Sequence, residues 1–558
     1  MAGTTQVSNS SSAASETGSA QDRAKSDLWI FREGRRELSG RKFLEELRSQ
    51  LSTKNSLTDS LIQAGELEAA LADLDAPSAP AAAGLTDRLA RELCSGIADG
   101  DPEPLANRIE VPPVLSIAPP EGFTYYALHP LDFARVADKL PPEAPAFAIV
   151  GIRSIGTTLS AVVAAALGSL GKSVKRVTVR PTGHPYSRSL QLGGKLASWI
   201  AKQNSLSAQF LVVDEGPGRS GSTFLSVAEA LAGVGVGRER ITIVGSRPFD
   251  PASLCAQNAV ARWNQFRFVA TPSCLNQRFS SWTYIGNGNW RGHFFEQESE
   301  WPESWTQMER WKVLSPDQRQ LVKFEGMGRI GRETRERAFA LAAAGFSPEV
   351  RDAGDGFLSY TAIRGRRVTK IDVSNALLER VARYCAFRAS EFSVEESGGM
   401  ELGRMVAFNV HEEFGRELDF EDGQLSTARP VLVDGRMQPY EWVAASGKVL
   451  KIDATTHGDN HFFPGPCDIA WDIAGTVIEW GLGPHAKQFL LEQFKKSSGI
   501  DLAKTLKFYL LSYSVFRLGF CKMARSTVMG SPEEVRLDLA YRHYRDVASR
   551  LLEAIPSV

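Results

Sequence analysis

The chain is short of cysteine, of net charge and of long apolar runs, and each shortage excludes a class of protein. Six cysteines, at 94, 255, 274, 385, 467 and 521, stand singly, so neither a close pair of zinc-ligand spacing nor a disulfide framework is expected. A reduced, cytoplasmic protein without structural zinc follows. Lys and Arg number 64 against 65 Asp and Glu, leaving a net charge of −1, and whole-chain attraction to nucleic acid is excluded. No apolar stretch approaches the roughly 20 residues that span a bilayer, so no membrane partner is expected. Small anionic ligands fit this composition better.

What the chain does have is length. Its 558 residues, 43% of them hydrophobic, exceed what one core organises, and about three to four domains are expected. Residues 1–26, rich in Ser, Thr, Ala and Gly, read as a disordered tail. Residues 27–120 read as a mostly helical entry subdomain and linker. Within it Trp29, Ile30 and Phe31 begin a strand-like piece, Phe43, Leu44, Leu47 and Leu51 recur at helical spacing, and residues 57–74 form a helix or a pair of helices interrupted near Gly65. Residues 76–83 read as an Ala/Pro linker, and the Pro-rich 111–120 leads into a sheet domain at 121–275. Further on, residues 284–291 have the Gly punctuation of a hairpin and residues 311–314 and 320–324 the pattern of a strand pair. A long helix from about 331 to 345 then precedes a strand at 356–360.

The most informative stretch is Phe210-Leu211-Val212-Val213-Asp214-Glu215-Gly216-Pro217-Gly218-Arg219-Ser220-Gly221-Ser222-Thr223. A buried strand ends on two carboxylates, and a small-residue loop then opens a helix. At the carboxyl end of a parallel strand, the N–H groups and partial positive charge of the helix start attract an anion. Ser220, Gly221, Ser222 and Thr223 would wrap a phosphate. Asp214 and Glu215 would repel it, unless they face sugar hydroxyls or a hydrated Mg²⁺. The segment resembles the signature of type I phosphoribosyltransferases, in which the acidic pair contacts the ribose of phosphoribosyl diphosphate (PRPP) and the loop binds its 5′-phosphate. This chain departs from the pattern in placing four residues, 216–219, rather than three between the acids and the Ser-Gly turn.

Two neighbours extend the resemblance. Ala146-Phe147-Ala148-Ile149-Val150 followed by Gly151-Ile152-Arg153-Ser154 and an apolar helix repeats the strand, turn, helix order, and the resemblance makes this the pyrophosphate loop, with Arg153 and the backbone at Ser154 as donors. Residues 177–188, carrying Arg180, His184 and Arg188 among Gly and Pro, read as a hood over the site whose cations would meet the leaving pyrophosphate.

The second half resembles the small-molecule kinase fold of aminoglycoside and choline phosphotransferases over residues 282–555. The resemblance implies Lys323 at the phosphates of a nucleotide, ATP, with Glu336 or Glu333 as its partner and Asp453 as the Mg²⁺ ligand. Asp472, in Asp468-Ile469-Ala470-Trp471-Asp472, would be structural. Aligning Val433-Asp434-Gly435-Arg436 with the family's catalytic loop puts Arg436 at the base position and Glu441 at the second metal position, and an arginine accepts no proton. Asp434 or Asp459 would then be the displaced base, or the domain binds nucleotide without transferring phosphate. His457, Asp459 and His461 also alternate as metal ligands do.

The expected architecture is therefore α/β: a Rossmann-like parallel-sheet phosphoribosyltransferase domain followed by an α+β protein-kinase-like domain. The expected activity is glycosyl transfer, moving ribosyl phosphate from PRPP with Mg²⁺ to, or from, a nitrogenous base. The C-terminal half would bind nucleotide and phosphorylate a small molecule. The alternative is a non-catalytic sensor of PRPP or nucleotide that regulates a small-molecule kinase. Partners would be a base or nucleotide, with a homodimer left open.

Overall fold

The computed structural model describes residues 35–554 apart from 54–55, 99, 101, 185, 219, 396–398, 419–423, 426 and 461. The tail at 1–26, the strand-like piece at 29–31, the spacer residue Arg219 and the metal-ligand expectation placed on His461 lie outside the described residues.

Five strands form a parallel sheet: β3 (Ala146–Ile152), β4 (Ser173–Val179), β7 (Gln209–Val213), β8 (Ile241–Gly245) and β9 (Arg267–Ala270), in the order β4-β3-β7-β8-β9. Side chains alternate across it, as strand geometry requires. Phe147, Ile149, Leu211, Val213 and Val244 enter one core, and Ala148, Val150, Phe210, Val212 and Ile243 enter another. The chain leaves β3 for β4 and returns across β3 to reach β7. The loops after β3 and β7 therefore part at a topological switch point, where doubly wound sheets bind ligands. A hairpin of β5 (Thr182–His184) and β6 (Ser187–Ser189) follows β4.

Ahead of the sheet, β1 (Arg36–Ser39) pairs with β2 (Val114–Ile117) around α1 (Gly40–Thr53), α2 (Leu57–Asp73) and α3 (Ala79–Ser95). Ser56 caps α2 by accepting the Asp59 N–H at 3.1 Å, as N-cap serines do. The expected break near Gly65 is absent. A Cβ there would lie 2.0 Å from Thr158 Oγ1, so the glycine lets α2 approach α5 (Ile155–Ser169) rather than ending the helix. The linker at 76–83 is likewise mostly the first turn of α3, with Pro80 where its missing N–H costs nothing. A one-turn helix, α4 (Glu121–Tyr125), leads into the sheet.

The second half opens with an antiparallel sheet of β10 (Thr283–Tyr284), β11 (Lys312–Leu314), β12 (Gln320–Phe324), β13 (Val350–Gly354) and β14 (Phe357–Thr361), in the order β10-β11-β12-β14-β13, with α8 (Gly328–Ala343) between β12 and β13. The strand pair at 311–324 forms as expected. The hairpin at 284–291 does not: β10 pairs with β11 across an excursion of residues 285–311, because Asn287 and Gly288 turn the chain into a short helix at Arg291–Phe294. A helical body follows, including α9 (Asn375–Glu391), α11 (Ala470–Glu479) and α13 (Leu506–Ser526), packed around Trp442, Trp471, Trp480 and Tyr513. Among the described residues no helix is long and apolar enough to cross a membrane.

Candidate functional site

The switch-point crevice collects the expected sugar-phosphate residues, although several of them already have partners. Asp214 and Glu215 sit half-buried at the end of β7. Burial pushes Asp214 up to about 7. It pushes Glu215 up to about 8, with Glu121 and Asp214 adding repulsion. Glu121 itself is raised to about 7 by burial, so three carboxyl groups share this corner. Arg180 and Arg188 act on Asp214, and Arg247 acts on Glu215. Neither Glu121 nor Arg247 was legible as a site residue, since one stands in a Pro-rich lead-in and the other after β8. Their side of the crevice is assembled only by the fold.

The loop that should hold the 5′-phosphate opens α7 (Ser222–Gly233). Gly221 takes φ 68° at the helix start, and the Ser220 hydroxyl accepts the Ser222 N–H at 3.2 Å and lies 3.0 Å from Ser222 Oγ. Ser222 is buried and Thr223 half-buried. Beside this loop Ser246 N–H, just after β8, donates to Glu215 O at 2.8 Å. In the loop after β3, Ser154 adopts φ 101°, ψ −124°, a strained conformation costing roughly 1–3 kcal/mol that clusters at ligand sites.

The arginines expected to meet pyrophosphate face a carboxylate instead. Arg153 Nη1 lies 3.1 Å from Asp73 Oδ1, and Arg180 Nη2 lies 2.6 Å from Asp73 Oδ2. His184 stacks on Tyr186 and accepts its N–H at 3.3 Å, and Arg188 donates to Pro181 O at 3.4 Å. The β5–β6 hairpin is held as a folded flap lying against α7.

A second site lies in the cleft between the antiparallel sheet and the helical body, around a cavity of about 220 Å³. Leu321 and Lys323 of β12 form one wall, Ile452 and Asp453 the opposite one, and the chain leaving β14 at Ala362 and Ile363 closes the back. Lys323 is buried and donates to Asp453 Oδ1 at 2.8 Å and Thr456 Oγ1 at 3.3 Å, with Glu325 at 3.5 Å. Burial opposes its charge, but Asp453 and Glu325 hold its pKa above the ordinary lysine value. Asp453 is held well below the carboxylate range by Lys323, against burial. Burial drives His457 down to about 3, so it is a neutral imidazole.

Glu336 is not the partner of Lys323. Thr334, Arg337 and Ala338 form the buried face of α8, which leaves Glu336 exposed, and Glu333 pairs with Arg329 at 2.8 Å. Asp459 is no free base either: Arg36 holds it at 2.6 Å and Arg337 at 3.2 Å. This also removes it from the supposed His-Asp-His ligand set. Asp434 is buried, accepts from the Tyr384 hydroxyl and from Arg436 N–H at 3.2 Å, and pairs with Lys451 at 3.2 Å. Asp472 accepts the N–H groups of Asp434 at 2.8 Å and Gly435 at 3.1 Å, fixing that loop.

Among the described residues, Asp434, Glu441 and His457 place ligand atoms within 4.8 Å of one another, as a metal site would. Lys451 already occupies that space, fully buried, with Nζ 2.8 Å from Glu441 and donating to the Asp453 carbonyl. An ammonium surrounded by two carboxylates and a carbonyl leaves no charge deficit for a second cation. Asp453 lines the cavity itself. Lys451 was missed in the sequence because a lysine before Ile-Asp reads as a solvated strand charge.

No protein-family model matches the chain, and no curated protein matches it. Among solved structures, the choline kinase LicA from Streptococcus pneumoniae is similar over 43% of this chain and 89% of its own, with 11% identity and a TM-score of 0.31. A putative aminoglycoside phosphotransferase from Ralstonia eutropha is similar over 44% and 88%, with 14% identity and a TM-score of 0.30. The GDP complex of aminoglycoside 2′-phosphotransferase-IIIa is similar over 43% and 89%, with 11% identity and a TM-score of 0.29.

Proposed function

We propose that the cleft binds a nucleoside triphosphate with one Mg²⁺, as in a small-molecule kinase, and that the parallel-sheet crevice binds the ribose 5′-phosphate part of a second ligand. The observation that carries the first half is the Lys323–Asp453 pair at 2.8 Å, at the inner end of a cavity walled by Leu321, Ile363 and Ile452. Such a pair offers a cation to phosphate oxygens and a carboxylate to their metal. When bound, Mg²⁺ would neutralise charge developing on the transferred phosphoryl group. This chain's own residues would position the nucleotide between the two lobes.

Every carboxylate lining the cavity is already matched by a cation: Glu309 by Lys312, Glu441 by Lys451 and Arg436, and Asp453 by Lys323. With no carboxylate ready to accept a hydroxyl proton, nucleotide binding should be firm and phosphoryl transfer slow. Titration of an ATP analogue with Mg²⁺, run beside an ATP-consumption assay, tests this. Unchanged binding and turnover in both Lys323→Ala and Asp453→Ala would remove the assignment.

For the crevice, ribosyl transfer with PRPP as donor is the finer reading. The acidic pair at the switch point favours it, whereas the pairing of Arg153 and Arg180 with Asp73 does not. Pyrophosphate release from PRPP with a panel of bases decides it, and no release with any base leaves ligand binding as the crevice's role.

A further inference from the structure

We infer that Asp73 sets the ligand class of the crevice: a ribose 5′-phosphate whose C1 substituent is uncharged, as in a nucleoside 5′-monophosphate, with a C1 diphosphate gaining no added affinity. This rests on the sugar-phosphate reading of the crevice and narrows it. The loop after β3 and the residue following β4 supply Arg153 and Arg180, which share Asp73 as partner at 3.1 and 2.6 Å, with Arg35 approaching the same carboxylate at 3.8 Å. Both Asp73 oxygens also accept from the Arg180 Nε, each at 3.1 Å. A carboxylate held by the Arg180 fork and by Arg153 Nη1 stands where a phosphate would be held. A diphosphate entering there would have to displace it and would still face its charge.

Asp73 cannot readily withdraw. It is the last residue of α2, whose residues 58–71 are all buried, so the backbone carrying it is clamped by the core. An acid at a helix C-terminus is also poorly placed with respect to the helix dipole, and nothing in α2 itself calls for a carboxylate there. Its partners account for it. The arginines, by contrast, stay in place without it: Arg153 donates to Thr178 O at 3.2 Å, and Arg180 donates to Arg153 O at 2.9 Å. Removing the carboxylate therefore leaves two cations that keep backbone partners of their own.

Calorimetric titration of the full chain with ribose 5-phosphate and with PRPP, both in Mg²⁺, tests the inference in wild type, Asp73→Asn and the double variant Asp73→Asn/Arg180→Ala. Wild type should bind the two ligands within about threefold of each other, Asp73→Asn should tighten PRPP alone by roughly tenfold or more, and the double variant should lose that gain. Wild type preferring PRPP by roughly tenfold, or an unchanged preference in Asp73→Asn, would overturn the role of Asp73 while leaving the sugar-phosphate site standing. Absence of ribose 5-phosphate binding in all three proteins would overturn the sugar-phosphate reading and this inference with it. Thermal melts of the variants confirm that each is folded.

Discussion

Lys323 and Glu336 show how far single residues can be read. The lysine is where a strand ending Leu-Val-Lys-Phe places it, inside the cleft, because alternation puts Val322 and Lys323 on opposite faces and both are buried. Its partner was misassigned because helical phase, not distance along the chain, decides which side of α8 faces the strand. Accordingly, Lys323→Ala should weaken binding of an ATP analogue by at least about tenfold, and Glu336→Ala should leave it unchanged, both read by calorimetry. At the other site, Glu215 makes a pH prediction. Its folded pKa is raised to about 8, above the ordinary glutamate value, so the native state holds the proton more tightly than the unfolded chain does. The associated stability is complete at low pH and is lost as pH rises toward about 8. Glu215→Gln cannot ionise, so its urea midpoint relative to wild type should climb between about pH 5.5 and about pH 8. A constant difference across that range would show that Glu215 titrates normally.

Among the elements, α4 is one that reaches both sites. Its first turn meets the crevice, where a Cβ on Gly122 would lie 2.7 Å from Glu215 Oε2. Its last carbonyls meet the cleft: Phe123 O accepts Met327 N–H at 2.9 Å, and Thr124 O accepts from the cavity-lining Arg310 at 2.8 Å. Tyr125 and Tyr126 then line the cavity itself. In the sequence this element is only the end of a Pro-rich lead-in, because five residues are too few to show a helical period. Gly326, which receives it, has φ 114°, and a Cβ would meet Thr124 O at 2.8 Å. Gly326→Ala should therefore destabilise the protein by about 1–3 kcal/mol in urea unfolding. A loss confined to a few tenths would mean that α4 and the α8 loop are not locked together.

Across the whole molecule, the apparent boundary near residue 280 is not a boundary of the core. One continuous cluster runs from Phe43, Leu47 and Leu67 through Phe123, Leu159 and Val213 to Val322, Phe324, Met327 and Phe357. Arg278 with Asp355 at 2.7 Å, and Gly328 N–H with Asp59 at 2.6 Å, tie the same parts together at its margin. A fragment of residues 282–554 would expose the apolar underside of β12 and β14, and should bind a hydrophobic dye and lack a cooperative melt. A sharp transition matching that of the full chain would show that the second half folds alone. By itself the sequence determined the local facts: which runs are strands buried on both faces, and where acids follow a strand and glycines precede a helix. These follow from periodicity and turn chemistry, which act over a few residues. Only the tertiary structure decided which charges meet, placing Asp73 on Arg153 and Arg180, Arg36 on Asp459 and Lys451 between Asp434 and Glu441. Ion pairing depends on distance in space, and no local pattern encodes which distant carboxylate the packed core will carry to a given cation.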